Sequence, residues 1–355
     1  MYTFRLGEVF WLPQKAGKTK QQFSHLKISV PSRIGTFPVR FENFIKGMQS
    51  RKYRVGYLAF AIDLRTDIYI KPNDSPETFV INEHQKKNIA LHATRIMQKA
   101  LKLKNGFDIY IFQPYPSRVG LSTSSTIQAA IILGINKLYG EPLSIKDIIK
   151  LAVLNYGEET STPGKLVHIP ILGGVLIASL YGGGLFAVGN ETTLLARTDL
   201  DDIYSIIIGI PPHLPYKGET DLDEIINNAQ IRINLGRYSD KKEYVFLNKI
   251  IPALKKNKPR PVGEEIWNYM AGKYGSIKPY YKSKNPSVKM GYLIDKLLEL
   301  RGNPDILTGF VSSAGPGLVY VTKKIRTCIT HFKQMGISNI IWTKCINKGV
   351  EYTVY

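Results

Sequence analysis

The sequence is poor in sulfur, in histidine and in acid. Two cysteines, Cys328 and Cys345, in 355 residues exclude a disulfide-stapled framework. No basic, apolar and small-residue order follows Met1 as a secretory leader requires, so a cytoplasmic protein is expected. Six histidines, among them His84 and His92 on one predicted helix and His168 and His213 alone, lack metal-ligand spacing, and none is assigned to a metal. Asp and Glu number 28 against 48 Lys and Arg, a formal charge of +20. Such a surface attracts anions, whether nucleic acid, acidic lipid or a phosphate-bearing small molecule, although a lysine-rich thermophile surface gives the same count. Long apolar runs free of glycine are also missing. The longest, "IPILGGVLIASLYGGGLFAVG" at 169–189, approaches bilayer length. Its glycines and the "YGGG" turn at 181–184 predict a hairpin of two buried strands instead, and no membrane association.

What is present alternates strands and helices, with no repeat at a fixed period. Residues 1–24 read as an extension ahead of the strand "HLKISV". "YLAFAIDLRTDIYI" suits strands broken near Asp63 to Arg65. Ile89, Ala93, Ile96, Met97 and Ala100 recur at helical spacing within His84 to Leu103, and "FDIYIFQ" at 107–113 alternates as a strand. Ile127, Ala130, Ile131, Ile135 and Leu138 give one face of a helix closed by Gly140 and Pro142, and the next helix starts at Ser144 with Asp147 three residues on. In the second half "IYSIIIGIPP" and "GLVYVTKK" are strands and "MGYLIDKLLEL" a helix, with 235–289 unassigned. The class is α+β, with a boundary at about 195: an extension at 1–24, a first domain at 25–195 and a second at 196–355.

The stretch "RVGLSTSSTIQAA" at 118–130 puts Gly120 and a run of hydroxyl side chains before a helix. A helix N-terminus offers unpaired N–H groups and the positive end of a dipole to a phosphate. Gly120, Leu121, Ser122, Thr123, Ser124 and Ser125 therefore form a candidate anion cradle; a single one of these hydroxyls would serve as an ordinary N-cap. The Walker spacing G-x-x-x-x-G-K-[ST] is absent.

"PSRVGLSTSS" at 116–125 resembles the second motif of the GHMP kinase superfamily, "VPSRIG" at 30–35 its first and "VSSAGPGLVYV" at 311–321 its third. Within the superfamily the likeness is closest to the archaeal β-ribofuranosylaminobenzene 5'-phosphate synthases. "RVGYLAFAID", "GVLIASLYGGGLFAVGN", "YKGETDLDEI" and "TKCINKGVEYTV" follow in that family's order over roughly 27–354. The resemblance implies a two-domain fold, ribosomal protein S5-like then ferredoxin-like, with its ligand between the phosphate loop and Ser312, Ser313 and Gly315. It implies a transferase joining 5-phosphoribosyl 1-pyrophosphate to a para-substituted benzoate with loss of CO2 and pyrophosphate, a step of pterin cofactor biosynthesis. Mg²⁺ would be held with Glu219, and Arg33 and Arg118 would meet the remaining anionic groups, since guanidinium pairs bidentately with phosphate and carboxylate.

The pattern departs at Asn155 to Pro170. GHMP kinases that use a carboxylate base carry an aspartate there; this chain has none, and Glu158 and Glu159 fall out of pattern. The synthase element keeps Gly157, Ser161 and Gly164 but lacks its arginine. No catalytic base is assigned. The alternatives are an ATP-dependent GHMP-type small-molecule kinase, with ATP as cofactor, and a basic nucleic-acid-binding protein using "KKNKPRP" at 255–261 and "KPYYKSKNPSVK" at 278–289. The expected partner is an anionic phosphorylated small molecule rather than nucleic acid, and a homodimer is compatible with the reading.

Overall fold

A computed structural model describes residues 3–39, 56–82, 85–117, 119–160, 162–168, 174–188, 194–200, 203–212, 238–276, 290–313 and 316–355. In the first half these form β1 (Thr3–Arg5), β2 (Leu26–Val39), β3 (Gly56–Pro72), β4 (Phe79–Val80), α1 (Lys87–Leu101), β5 (Phe107–Phe112), α2 (Thr123–Leu138), α3 (Ile145–Leu154), β6 (Gly157–Glu159), β7 (Lys165–His168), α4 (Gly174–Tyr181), β8 (Leu185–Val188) and β9 (Leu194–Thr198). In the second half follow β10 (Ser205–Ile210), α5 (Ser239–Val245), a π-helical turn at Phe246–Ile250, α6 (Ile251–Lys255), α7 (Pro259–Met270), α8 (Met290–Leu298), β11 (Ile306–Val311), β12 (Leu318–Thr322), α9 (Ile325–Gln334), β13 (Asn339–Lys344) and β14 (Glu351–Val354).

β3 organises the larger sheet. It pairs antiparallel with β2 along its length, with β8 through Tyr57 to Phe60 and with β5 through Asp67 to Pro72. The break expected near Asp63 is a bulge within one continuous strand: Pro31 lies opposite Arg65 but Ser32 opposite Ile62. Extra residues of this kind bend a strand without ending it. The sheet runs β14-β2-β3-β5-β4, with β8 and β9 attached through β3. α1 and α2 cover one face. Ile127, Ile131 and Ile135 join Ile28, Ile68, Ile70, Ile96 and Met97 in one core, each buried aliphatic contributing about 2 kcal/mol. α2 is buried along its length except at Lys137, and it lies so close to the sheet that a Cβ on Gly134 would stand 2.6 Å from Ile70 Cδ1.

The second half has the chain order strand, helices, strand, strand, helix, strand and the antiparallel sheet order β11-β12-β10-β13, which is ferredoxin-like. Ile34, Leu58 and Phe60 of the larger sheet share a core with Ile206, Ile208 and Phe310 of this one, and the Phe60 and Phe310 rings stack at 5.4 Å. The chain therefore has a two-part α+β architecture, as the resemblance implies.

Several expectations are corrected. Among the described residues of 169–189, Gly174–Tyr181 is a helix and Leu185–Val188 a strand. A continuous apolar run carries neither period, so its pattern alone does not separate helix from strand. At eight residues α4 is too short for a bilayer, and among the described residues no helix is long and apolar enough to cross one. The N-terminal extension is a packed arm: β1 pairs with β7, which pairs with β6, and Phe4 is buried. The last strand, β14, returns to β2 of the first sheet, so the chain's end belongs structurally with its beginning. "KKNKPRP" forms the turn into α7, with Pro259 in its first turn. The stretch 278–289 lies outside the described residues.

Candidate functional site

The three motif segments, distant in sequence, meet at the N-terminus of α2. Gly120 has φ +81°, a left-handed conformation that only glycine adopts freely, and a Cβ there would stand 2.4 Å from the Ser312 carbonyl oxygen. Gly317 is held to the same standard by the Val119 carbonyl oxygen at 2.5 Å. Ser312 Oγ donates to the Gly120 carbonyl at 2.7 Å, and Ser32 Oγ donates to that of Leu121. Ser122 Oγ donates to the Arg33 carbonyl at 3.3 Å, and the Ser313 N–H to that of Gly35 at 2.8 Å. Leu121 itself is buried among the apolar residues shared by the two halves.

Most of the hydroxyls in the run hold the loop rather than point away from it. Ser125 and Thr126 both donate to the carbonyl of Ser122, the N-cap residue, whose backbone is left-handed at φ 60°. Ser124 Oγ donates to Glu158 Oε2 at 2.8 Å. Thr123 differs: its Oγ1 is buried and has no hydrogen-bond partner. A buried hydroxyl left unpaired costs on the order of 1–3 kcal/mol, and it lies beside the open N–H groups of the helix terminus. The residues thus fit an anionic oxygen at this point.

Arg33 borders the same place. Its Nη1 donates to Ser313 Oγ at 3.0 Å, its guanidinium lies 5.4 Å from the Tyr57 ring centre, and its Nε is buried without a partner. Arg118, Gly315 and Glu219 lie outside the described residues.

Opposite the loop stands a carboxylate cluster whose role no motif indicated. Glu158 accepts from Ser124 and from Tyr156, and the Lys86 ammonium lies 3.4 Å from its Oε2 and 4.0 Å from Glu159 Oε2. Burial pushes the Tyr156 phenol well above its ordinary range, and the Glu158 charge adds to this, so Tyr156 remains a proton donor to the carboxylate. Burial also raises the Glu159 carboxyl, an effect that Lys86 partly opposes. Hard oxygens from Ser124 and Glu158 side by side suit Mg²⁺, which usually takes one or two carboxylates and completes its shell with substrate phosphates and water. The sequence signal available for this cluster was the adjacent pair Glu158–Glu159 beside an apolar helix, where carboxylates need partners.

The cluster is anchored from behind by the N-terminal arm. Asn155, fully buried, accepts through Oδ1 from the N–H groups of Phe10 and Trp11 at 2.6 and 3.2 Å, and donates to the Trp11 carbonyl at 2.8 Å. His92 Nδ1 accepts from the Gly7 N–H at 2.9 Å, so its Nε2 carries the proton toward the Asn155 carbonyl at 2.7 Å. His168 stacks edge-on against Phe10. Among the described residues no three or more His, Cys, Asp or Glu side chains gather as a metal-ion cage.

Residues 88–166 match the family described as GHMP kinases N terminal domain. Over 104 residues the chain is 30% identical to 4-diphosphocytidyl-2-C-methyl-D-erythritol kinase from Alkaliphilus oremlandii, covering 29% of this chain and 33% of that protein. Over 85 residues it is 36% identical to the same enzyme from Syntrophomonas wolfei, covering 24% and 28%. The chain therefore spans about a third of the length of these curated relatives. Across nearly the whole chain the fold is that of mevalonate diphosphate decarboxylase from Staphylococcus aureus (TM-score 0.65, 16% identity, covering 94% of this chain and 98% of that one). It is also that of Methanococcus jannaschii mevalonate kinase (TM-score 0.57, 17% identity, covering 91% and 99%).

Proposed function

Since this chain carries a GHMP kinase N-terminal domain within a GHMP-type fold, we propose that it is an ATP-dependent phosphotransferase acting on a hydroxyl of a small molecule. The observation that carries the proposal is the pairing of Ser124 with Glu158 at the N-terminus of α2. The sequence alone left the kinase reading without a carboxylate beside the phosphate loop; Glu158 supplies one.

In this reading the N–H groups at the start of α2 and the Thr123 hydroxyl bind phosphate oxygens of the nucleotide. Ser124 and Glu158 would hold Mg²⁺, which when bound supplies positive charge to the phosphate oxygens. Lys86 and Arg33 bring fixed cations to the same place, with Lys86 oriented by Glu158 and Glu159 and Arg33 by Ser313. Phosphoryl transfer asks mostly for positioning and charge stabilisation, the roles this set of residues would fill. Tyr156, donating to Glu158, keeps the carboxylate oriented.

The ribosyl transfer implied by the sequence resemblance uses a pyrophosphate cradle of the same kind, but the similar proteins reported above are named as kinases and a decarboxylase, which favours ATP. A thermal-shift series separates the two: Mg²⁺ with ATP should raise the melting temperature, and 5-phosphoribosyl 1-pyrophosphate should not. Stabilisation by 5-phosphoribosyl 1-pyrophosphate alone would overturn the kinase reading.

A further inference from the structure

We infer that the open face of the larger sheet, across β14, β2, β3, β5 and β4, is the contact surface between two copies of this chain. The strand registers place its side chains in rows. Lys27, Tyr69 and Tyr110 lie side by side, as do Ser29, Asp67 and Phe112, and then Lys71, Asp108 and Phe79. Their neighbours in sequence, Ile28, Ile68, Ile70, Ile109 and Ile111, turn inward to the α1 and α2 core, so the rows face outward. Ile81 continues past β4, with its N–H donating to the Ile109 carbonyl.

Five of the large exposed apolar and aromatic side chains of the described residues fall on this one face: Tyr69, Phe79, Ile81, Tyr110 and Phe112, at 42 to 62% exposure. Tyr69 and Tyr110 already meet edge to face at 6.3 Å. Side chains of this size present about 200 Å² each when fully open, so the five offer about 500 Å² per copy. Two such faces together remove about 1,000 Å², the floor for a specific protein interface.

Charge selects the occupant. On a chain of +20, most surfaces repel a second copy. Here the signs balance: Lys27 pairs with Asp67 at 2.6 Å, Lys71 lies across from Asp108, and Arg65 pairs with Glu351 at 3.0 Å on the adjoining strands. A nucleic acid would meet the carboxylates Asp67 and Asp108 among the aromatic rings, whereas a face carrying both signs is complementary to itself under a two-fold axis. The surface thus fits a second copy of the chain.

The test is sedimentation equilibrium of the full chain at micromolar concentration, with the variants Phe112→Asp and Tyr110→Glu and the control Tyr244→Glu on α5, itself 63% exposed. Wild type and control should sediment at twice the 40.0 kDa chain mass. Both face variants should sediment at the single-chain mass with an unchanged far-ultraviolet circular dichroism spectrum. A wild-type monomer at every concentration, or a dimer that survives both face variants, would overturn the inference.

Discussion

Ser124 and Glu158, 34 positions apart, are joined by a 2.8 Å hydrogen bond from the hydroxyl to the carboxylate. The bond ties the first turn of α2 to β6 and sets one carboxylate at the mouth of an anion-attracting helix terminus. If this pair holds the metal of a nucleotide, Glu158→Gln should lower turnover on the order of 100-fold, and Ser124→Ala somewhat less. Acceptor-dependent ADP release measured over a range of Mg²⁺ checks this, and the variants should need more Mg²⁺ for half-maximal rate.

Gly120 and Gly164 separate two reasons for a glycine. Both have positive φ, but a Cβ at Gly164 meets nothing within 4 Å, while one at Gly120 meets backbone. Gly164→Ala should cost about 1 kcal/mol, the left-handed strain alone. Gly120→Ala should cost several times more, because the Ser312 loop must move, and it should abolish nucleotide binding. Urea unfolding of both variants gives the comparison.

Lys86 is almost fully buried between two carboxylates. Removing it in Lys86→Met leaves Glu158 and Glu159 facing one another without the cation, a loss of about 3 kcal/mol by analogy with other broken buried pairs. Adding Glu159→Gln to Lys86→Met should recover part of that stability, measured by the urea midpoint, without restoring turnover.

His92 gives the fold an acid-sensitive clamp. Burial, with Arg95 and Lys99 nearby and opposed by the Asn155 carbonyl and by Glu8, lowers its folded pKa from 6.5 to about 4. The unfolded chain therefore takes up the proton first as pH falls. The stability from keeping His92 neutral is present above about pH 6.5 and is lost progressively down to about pH 4, a change on the order of 3 kcal/mol. Melting temperatures between pH 7 and 4 should fall less steeply in His92→Gln than in wild type.

What the sequence revealed was local. The α2 start, the Ser144 cap that accepts from the Asp147 N–H, and the alternation in β5 are each decided by neighbours within a few residues. The three motif segments were legible by their order, yet their contacts were not: Gly120 needs its glycine because of Ser312, 192 residues away. The carboxylate cluster was missed for the same reason. Lys86 and Glu158 stand 72 positions apart and meet only because β6 packs beside the start of α1. The apolar run predicts a strand where α4 forms, because such a run carries no period to distinguish helix from strand.

Titration calorimetry of ATP with Mg²⁺ into the wild-type protein and into Glu158→Gln tests the proposed nucleotide site most directly. Saturable binding by wild type, weakened at least tenfold in Glu158→Gln and equalised between the two when Mg²⁺ is chelated, is the predicted result. Equal affinity of both proteins in the presence of Mg²⁺, or no ATP binding by a folded wild type, would contradict it.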